Sequence, residues 1–147
     1  MEASKLTPDA RVPRGRSGSR RRPLRVVIIE DSARIQACLE EALREIDNLV
    51  IAGTADTEAE ALSLLSSYGW DLAILDLQLK EGNGLGVLKG LGGRHPGKIA
   101  VLTNYAFPQY RKRSLALGAD FFFDKSREIA RMLELAAGLA QDAPAPA

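Results

Sequence analysis

Glu30 and Asp31 close the apolar run Val26-Val27-Ile28-Ile29, and Asp76 closes a second one, Leu72-Ala73-Ile74-Leu75. Thr103 ends a third run that starts at Ile99, and Lys125 follows Phe121-Phe122-Phe123-Asp124. If those run ends lie side by side, three carboxylates meet. Such a cluster repels itself and draws a hard cation; Mg²⁺ suits it, because it takes one or two carboxylates and keeps its waters. Asp31 and Asp76 are the direct ligand candidates, with Glu30 joining through water. A carboxylate relieved of that repulsion is a nucleophile toward phosphorus. The incoming phosphoryl oxygens need neutralising, and the cation, the Thr103 hydroxyl and the Lys125 ammonium would share them. Each residue alone has a plainer reading. Glu30-Asp31 could cap a helix, Asp76 could be a loop residue, Thr103 strand filler and Lys125 a surface charge. Their shared place at run ends is what argues for chemistry.

Strands must supply that place. The candidates are Leu24–Ile29, Leu49–Thr54, Leu72–Asp76, Ile99–Thr103 and Ala119–Phe123. The first, third and fourth are short, continuously apolar runs, which fit strands covered on both faces. Helical spacing fills the gaps: Ile35, Leu39, Leu43 and Ile46; then Ala61, Leu62, Leu65 and Tyr68 after a Thr57-x-x-Glu60 capping box. A short glycine-weakened helix runs from Leu85 to Leu91, a polar one from Tyr110 to Leu117, and a last stripe links Ile129, Leu133, Ala136 and Leu139. Five βα units predict an α/β fold, an open doubly wound parallel sheet whose crevice lies at the carboxyl ends of the strands.

The chain has 147 residues, 46% of them hydrophobic, as expected for one globular domain. Its charge is uneven. Residues 1–25 hold eight cations against Glu2 and Asp9, whereas the remainder holds twelve cations against seventeen acids. Residues 1–23, rich in Arg, Ser, Gly and Pro, read as a disordered basic tail; 24–140 as the folded domain; 141–147 as a frayed end. The basic tail reads as a solubilising extension, or as an electrostatic attachment to nucleic acid, an acidic partner surface or the domain's own acidic site; without aromatic residues for base stacking, single-strand binding is disfavoured. Cys38 is the sole cysteine, which excludes an internal disulfide and a cysteine metal cluster; its helical surroundings suggest a small packing residue. No apolar run approaches the ~18 residues of a membrane span, and the amino terminus lacks a secretory apolar segment. A reducing, cytoplasmic setting is expected. The turn Glu30-Asp31-Ser32-Ala33 has no glycine-rich loop, which argues against nucleotide binding. His95, in Gly-Gly-Arg-His-Pro-Gly, reads as a loop residue.

From Leu24 to about Leu139 the chain resembles the receiver domain of two-component response regulators. The matching stretches are Val-Val-Ile-Ile-Glu-Asp-Ser (26–32), Leu-Ala-Ile-Leu-Asp-Leu-Gln-Leu (72–79), Asn-Gly-Leu (83–85), Val-Leu-Thr-Asn (101–104) and Gly-Ala-Asp-Phe-Phe-Phe-Asp-Lys-Ser (118–126). The resemblance implies a flavodoxin-like (βα)5 fold with strand order 2-1-3-4-5. It implies Asp76 as phosphoacceptor, with Mg²⁺ (or Mn²⁺ in its stead) held by Glu30, Asp31, Asp76 and the Gln78 backbone carbonyl. Lys125 matches the phosphate-binding lysine, Thr103 and Phe122 the switch pair, and Gly84 the glycine of the loop after the phosphorylation site. It further implies a histidine kinase or phosphotransfer protein as donor and a downstream protein as target. With no output domain following, the signal would leave through the face of the fourth helix, fifth strand and fifth helix. The chain departs from the family at Lys80 and Ser126, where proline is common, at Asn104, where Ala or Gly is usual, and at Phe122, which replaces a frequent tyrosine. Lys80 predicts a more mobile loop; Ser126 disfavours a cis peptide there, since non-proline cis bonds cost about 2.5–4 kcal/mol.

Two other readings compete. One is an interaction module on this fold that works without phosphorylation. The other is a phosphatase of the haloacid-dehalogenase type, whose Asp-x-Asp would need an acid where Gln78 stands. Monomer and dimer both remain open.

Overall fold

The computed structural model describes residues 22–67 and 69–142. Ten elements alternate along it: β1 (Leu24–Ile29), α1 (Ala33–Arg44), β2 (Leu49–Ala55), α2 (Glu58–Leu65), β3 (Leu72–Leu75), α3 (Gly84–Leu91), β4 (Lys98–Thr103), α4 (Pro108–Ala116), β5 (Phe121–Asp124) and α5 (Ile129–Asp142). The strands form one parallel sheet in the order β2-β1-β3-β4-β5. The expected doubly wound flavodoxin-like topology is therefore the observed one.

The continuous apolar runs are buried on both faces because the pleat sends alternate side chains to opposite layers. Val26, Ile28, Ile74, Ala100 and Leu102 meet Leu39 and Leu43 of α1 and Met132, Ala136 and Ala140 of α5. Val27, Ile29, Ala73, Leu75, Ile99 and Val101 meet α2 and α3 through Ala61, Leu65, Val87, Leu88 and Leu91. Burying a Leu, Ile or Val side chain contributes about 1.5–3 kcal/mol, so both layers hold the sheet firmly beneath its carboxyl edge.

Helix starts follow local chemistry. Thr57 caps α2 by accepting the Glu60 N–H at 3.1 Å, and Glu60 returns to the Asp56 N–H at 3.3 Å, one residue further back than in the usual box. Pro108 opens α4 just after Phe107, so that helix begins two residues before the expected Tyr110. The expected strand at Ala119 starts only at Phe121, because the Ala119 N–H returns to Ser114 O and closes the preceding turn.

Other expectations need correction. Cys38 is exposed, not packed: it stands one position, about 100° of helix rotation, before the inward-facing Leu39. Arg22, assigned to the basic tail, belongs to the fold. Its guanidinium makes a bidentate pair with Asp71 at 2.6 and 2.6 Å. At the other end α5 runs on to Asp142, past the expected boundary at 140. The rest of both tails, and Tyr68, lie outside the described residues. His95 sits in the α3–β4 loop, stacked on Trp70 with both ring nitrogens against the Gly97 and Gly118 carbonyls. No helix among the described residues is long and apolar enough to cross a membrane.

Candidate functional site

The ladder bonds of the sheet continue one residue beyond the strands, and this aligns the polar groups. Glu30 N–H donates to Ala55 O, Asp76 N–H to Ile29 O, and Lys125 N–H to Thr103 O, at 3.0, 3.0 and 2.8 Å. Ligand oxygens of Glu30, Asp31 and Asp76 consequently lie within 4.8 Å of one another. Lys125 reaches across the sheet edge into this cluster. Its Nζ donates to Asp76 Oδ2 at 2.6 Å and to Glu30 Oε1 at 2.7 Å. Three acids and one ammonium leave an excess of negative charge, and the donor set is all hard oxygen, so the residues present fit a hard divalent cation.

Burial shapes the electrostatics. Glu30 and Lys125 are 2% and 8% exposed, too little for water to solvate either charge alone. Desolvation pushes the Glu30 carboxyl above its usual range, although Lys125 and the Ser32 N–H pull it down. Desolvation would lower Lys125, but its bonds to Asp76 and Glu30 outweigh burial and hold the ammonium above its ordinary value.

The capping reading of Glu30-Asp31 fails on geometry. Ser32 is the cap of α1, its Oγ accepting the Ile35 N–H at 3.2 Å. Ser32 also donates its own N–H to Glu30 Oε2 at 3.0 Å, orienting that acid toward the cluster. Asp76 is held on its other oxygen by the Gln78 N–H at 3.2 Å. The Gln78 side chain is exposed and its backbone is pinned by an isolated antiparallel bridge to Asn83. Gly84 is required where it stands. A Cβ there would collide with the Asp76 carbonyl oxygen and come within 2.8 Å of Leu77 Cα.

Thr103 is fully buried two positions beyond Val101, the register partner of Leu75. Its Oγ1 accepts the Tyr105 N–H at 3.2 Å. Phe122 is already inward, 8% exposed, with the Arg111 guanidinium 5.9 Å above its ring and Arg111 donating to the Phe122 carbonyl at 3.4 Å. The departures from the family pattern also acquire physical content. Lys80 donates its N–H to Asp56 O at 3.0 Å and pairs through Nζ with Asp56 Oδ2 at 3.3 Å, so the loop expected to be looser is tied to the β2–α2 turn. Ser126 donates both N–H and Oγ–H to Asp124 Oδ1, at 2.9 and 2.7 Å; proline could do neither. Asn104 is exposed.

A family model for the response regulator receiver domain matches residues 26–137. The chain belongs to the response regulator receiver family. One curated relative, protein-glutamate methylesterase/protein-glutamine glutaminase 6 of Anaeromyxobacter dehalogenans, is 35% identical over 100 residues, covering 68% of this chain and 29% of that protein. The signal receiver domain of the response regulator NarL from Mycobacterium tuberculosis superposes with a TM-score of 0.73 at 22% identity, over 82% of this chain and 98% of that one. The Mn²⁺-bound response regulator Rcp1 gives 0.65 at 22% identity, over 85% and 100%. At these identities the superpositions speak for the fold. The chain spans between about a third and a half of the length of the first curated relatives it matches. It is a receiver domain of a two-component system.

Sequence reasoning missed several residues that shape the site. Ser32 orients Glu30, Arg111 covers Phe122, and Glu58 accepts the Asn83 N–H from 25 residues away. Only Ser32 had a signal, as a capping residue just ahead of a helical stripe.

Proposed function

We propose that Asp76 accepts a phosphoryl group from a phosphohistidine on a histidine kinase or phosphotransfer protein. The observation that carries this reading is the Lys125 ammonium bonded to Asp76 and Glu30 beside Asp31 at the carboxyl edge of the sheet. An Asp76 carboxylate oxygen would bond to phosphorus as the phosphorus–nitrogen bond breaks, its electron pair returning to the donor imidazole. Glu30, Asp31, Asp76 and the Gln78 carbonyl would hold Mg²⁺, or Mn²⁺ in its place. The metal, when bound, supplies charge neutralisation at a phosphoryl oxygen.

Lys125 is the mobile partner in this scheme. It would exchange the Asp76 oxygen for a phosphoryl oxygen while keeping Glu30 within reach. The Thr103 hydroxyl would leave the Tyr105 N–H for another phosphoryl oxygen, freeing the start of the β4–α4 loop. Phe122 needs no inward swing from its observed position, so the response would run from Tyr105 into α4, with Arg111 carrying it to β5. A downstream protein would read the face of α4, β5 and α5. The change is a population shift driven by contacts that exist only in the phosphorylated state. The domain acts as a cytoplasmic signalling phosphoacceptor, not as an enzyme that turns over a substrate.

Phosphotransfer from a panel of purified histidine kinases tests the donor. Label should move to the wild-type chain within seconds from a cognate kinase and not to Asp76→Asn. Equal transfer to both forms would overturn the assignment.

A further inference from the structure

Glu58 is the first residue of α2, yet its side chain serves the loop after β3. Its Oε1 accepts the Asn83 N–H at 3.0 Å, and its own N–H donates to the Glu81 carbonyl at 2.9 Å. Two glycines make room for it. A Cβ on Gly86 would lie 2.5 Å from Glu58 Oε1 and 2.6 Å from its Cδ, and one on Gly82 would collide with the Glu58 Cβ. Gly82 also has φ of 80°, in the left-handed region that favours glycine. The loop and the first turn of α3 are thus built around this one side chain.

The loop carries that anchorage to the site. Asn83 caps α3 through Oδ1 to the Gly86 N–H at 2.8 Å, and its backbone bridges to Gln78. Gln78 in turn donates its N–H to Asp76 Oδ1. Asp76 is therefore gripped from two sides, by Lys125 on Oδ2 and by this loop on Oδ1. Without the Glu58 acceptor, the Asn83 N–H would turn to water and one grip would loosen.

We propose that Glu58 is a positioning residue for the phosphoacceptor loop, holding the Gln78 carbonyl and the Asp76 carboxylate in the arrangement that takes a divalent cation. This rests on the roles of Asp76 and Gln78 proposed above. Glu58 hydrogen-bonds to neither, and acts through Asn83.

Glu58→Ala removes the acceptor; Glu58→Gln keeps an oxygen for Asn83 while discarding the charge. Hydrogen–deuterium exchange on the metal-free proteins reads the loop directly, and calorimetric titration with Mg²⁺ alone reads the site. For Glu58→Ala, exchange at Gln78, Asn83 and Gly86 should quicken about tenfold and the Mg²⁺ Kd should rise about tenfold, the size of one hydrogen bond. Amides of β1 and β4 should keep their protection, showing an intact fold. Glu58→Gln should stay within about twofold of wild type in both measurements. Unchanged exchange and Kd in Glu58→Ala would overturn the proposal, as would a Glu58→Gln protein as impaired as Glu58→Ala. If the wild-type chain itself takes neither Mg²⁺ nor a phosphoryl group, the reading of Asp76 fails, while the exchange data still decide whether Glu58 holds the loop.

Discussion

Replacing Lys125 by Met keeps most of the side-chain volume and deletes the ammonium bonded to both Asp76 and Glu30. Two charge-assisted hydrogen bonds are lost, at 2.6 and 2.7 Å, from side chains 7% or less exposed. At about 1.5–3 kcal/mol each they bound the loss near ~6 kcal/mol. Relief of the desolvation that the buried ammonium had suffered returns part of this, and stranding buried carboxylates by removal of their partner costs about 3–5 kcal/mol in comparable cases. We expect about 3 kcal/mol of destabilisation in the metal-free protein, a large share of the ~5–15 kcal/mol typical of a domain. Urea unfolding in the presence of a chelator measures it. Saturating Mg²⁺ should then recover about 2.7 kcal/mol when its concentration is about a hundredfold above Kd. At that same Mg²⁺ concentration the recovery should exceed that of the wild-type protein, where Lys125 competes with the cation for the same carboxylates. A metal-free Lys125→Met protein as stable as wild type would show that the Lys125 bonds do not hold the site, and so would a deficit that Mg²⁺ leaves untouched.

Arg22→Ala tests the pair that closes the amino-terminal edge of the sheet. Burial would raise the Asp71 carboxyl, but the bidentate Arg22 and the Arg25 N–H hold it below the ordinary 3.8. Its contribution is complete above pH 3.8 and is lost as pH falls through the lower folded value. Arg22 is 41% exposed, so solvent screening limits the loss to about 0.5–1 kcal/mol at neutral pH. Urea unfolding should show wild type and variant converging below that range. Gly84→Ala should cost about 1–3 kcal/mol by thermal or urea unfolding, because both atoms its Cβ would strike are backbone. Arg111→Ala should cost about 0.5–1 kcal/mol and expose the Phe122 ring, visible as a shift of its ring resonances.

Much of the fold was legible because β1, β3 and β4 are short, apolar on both faces and closed by a polar residue, a pattern that few other arrangements bury. The positions of Glu30, Asp31, Asp76 and Lys125 followed from the same rule, since parallel strands in register bring their carboxyl ends together. Facing was harder to read. Cys38 has apolar neighbours in sequence, but whether it points to the sheet depends on a rotation that only the packed α1 settles. Long-range polar contacts left no trace. Asp71 meets Arg22 across 49 positions, and Glu58 meets Asn83 across 25. Nor could residue type reveal that Phe122 lies inward, packed in the core cluster beneath Arg111 of the neighbouring helix. Lys80 shows the reverse case. The absence of proline suggested a looser loop, whereas the free N–H that proline lacks is what ties that loop to Asp56.

The most direct measurement is the intact mass of the wild-type and Asp76→Asn chains after exposure to a small-molecule phosphodonor, with Mg²⁺ and with a chelator. One alkali-labile, hydroxylamine-sensitive phosphoryl group is expected on the wild-type chain with Mg²⁺, little with the chelator, and none on Asp76→Asn. A phosphoryl group that persists on Asp76→Asn, or a wild-type chain that takes none with Mg²⁺ present, would contradict Asp76 as the phosphoacceptor.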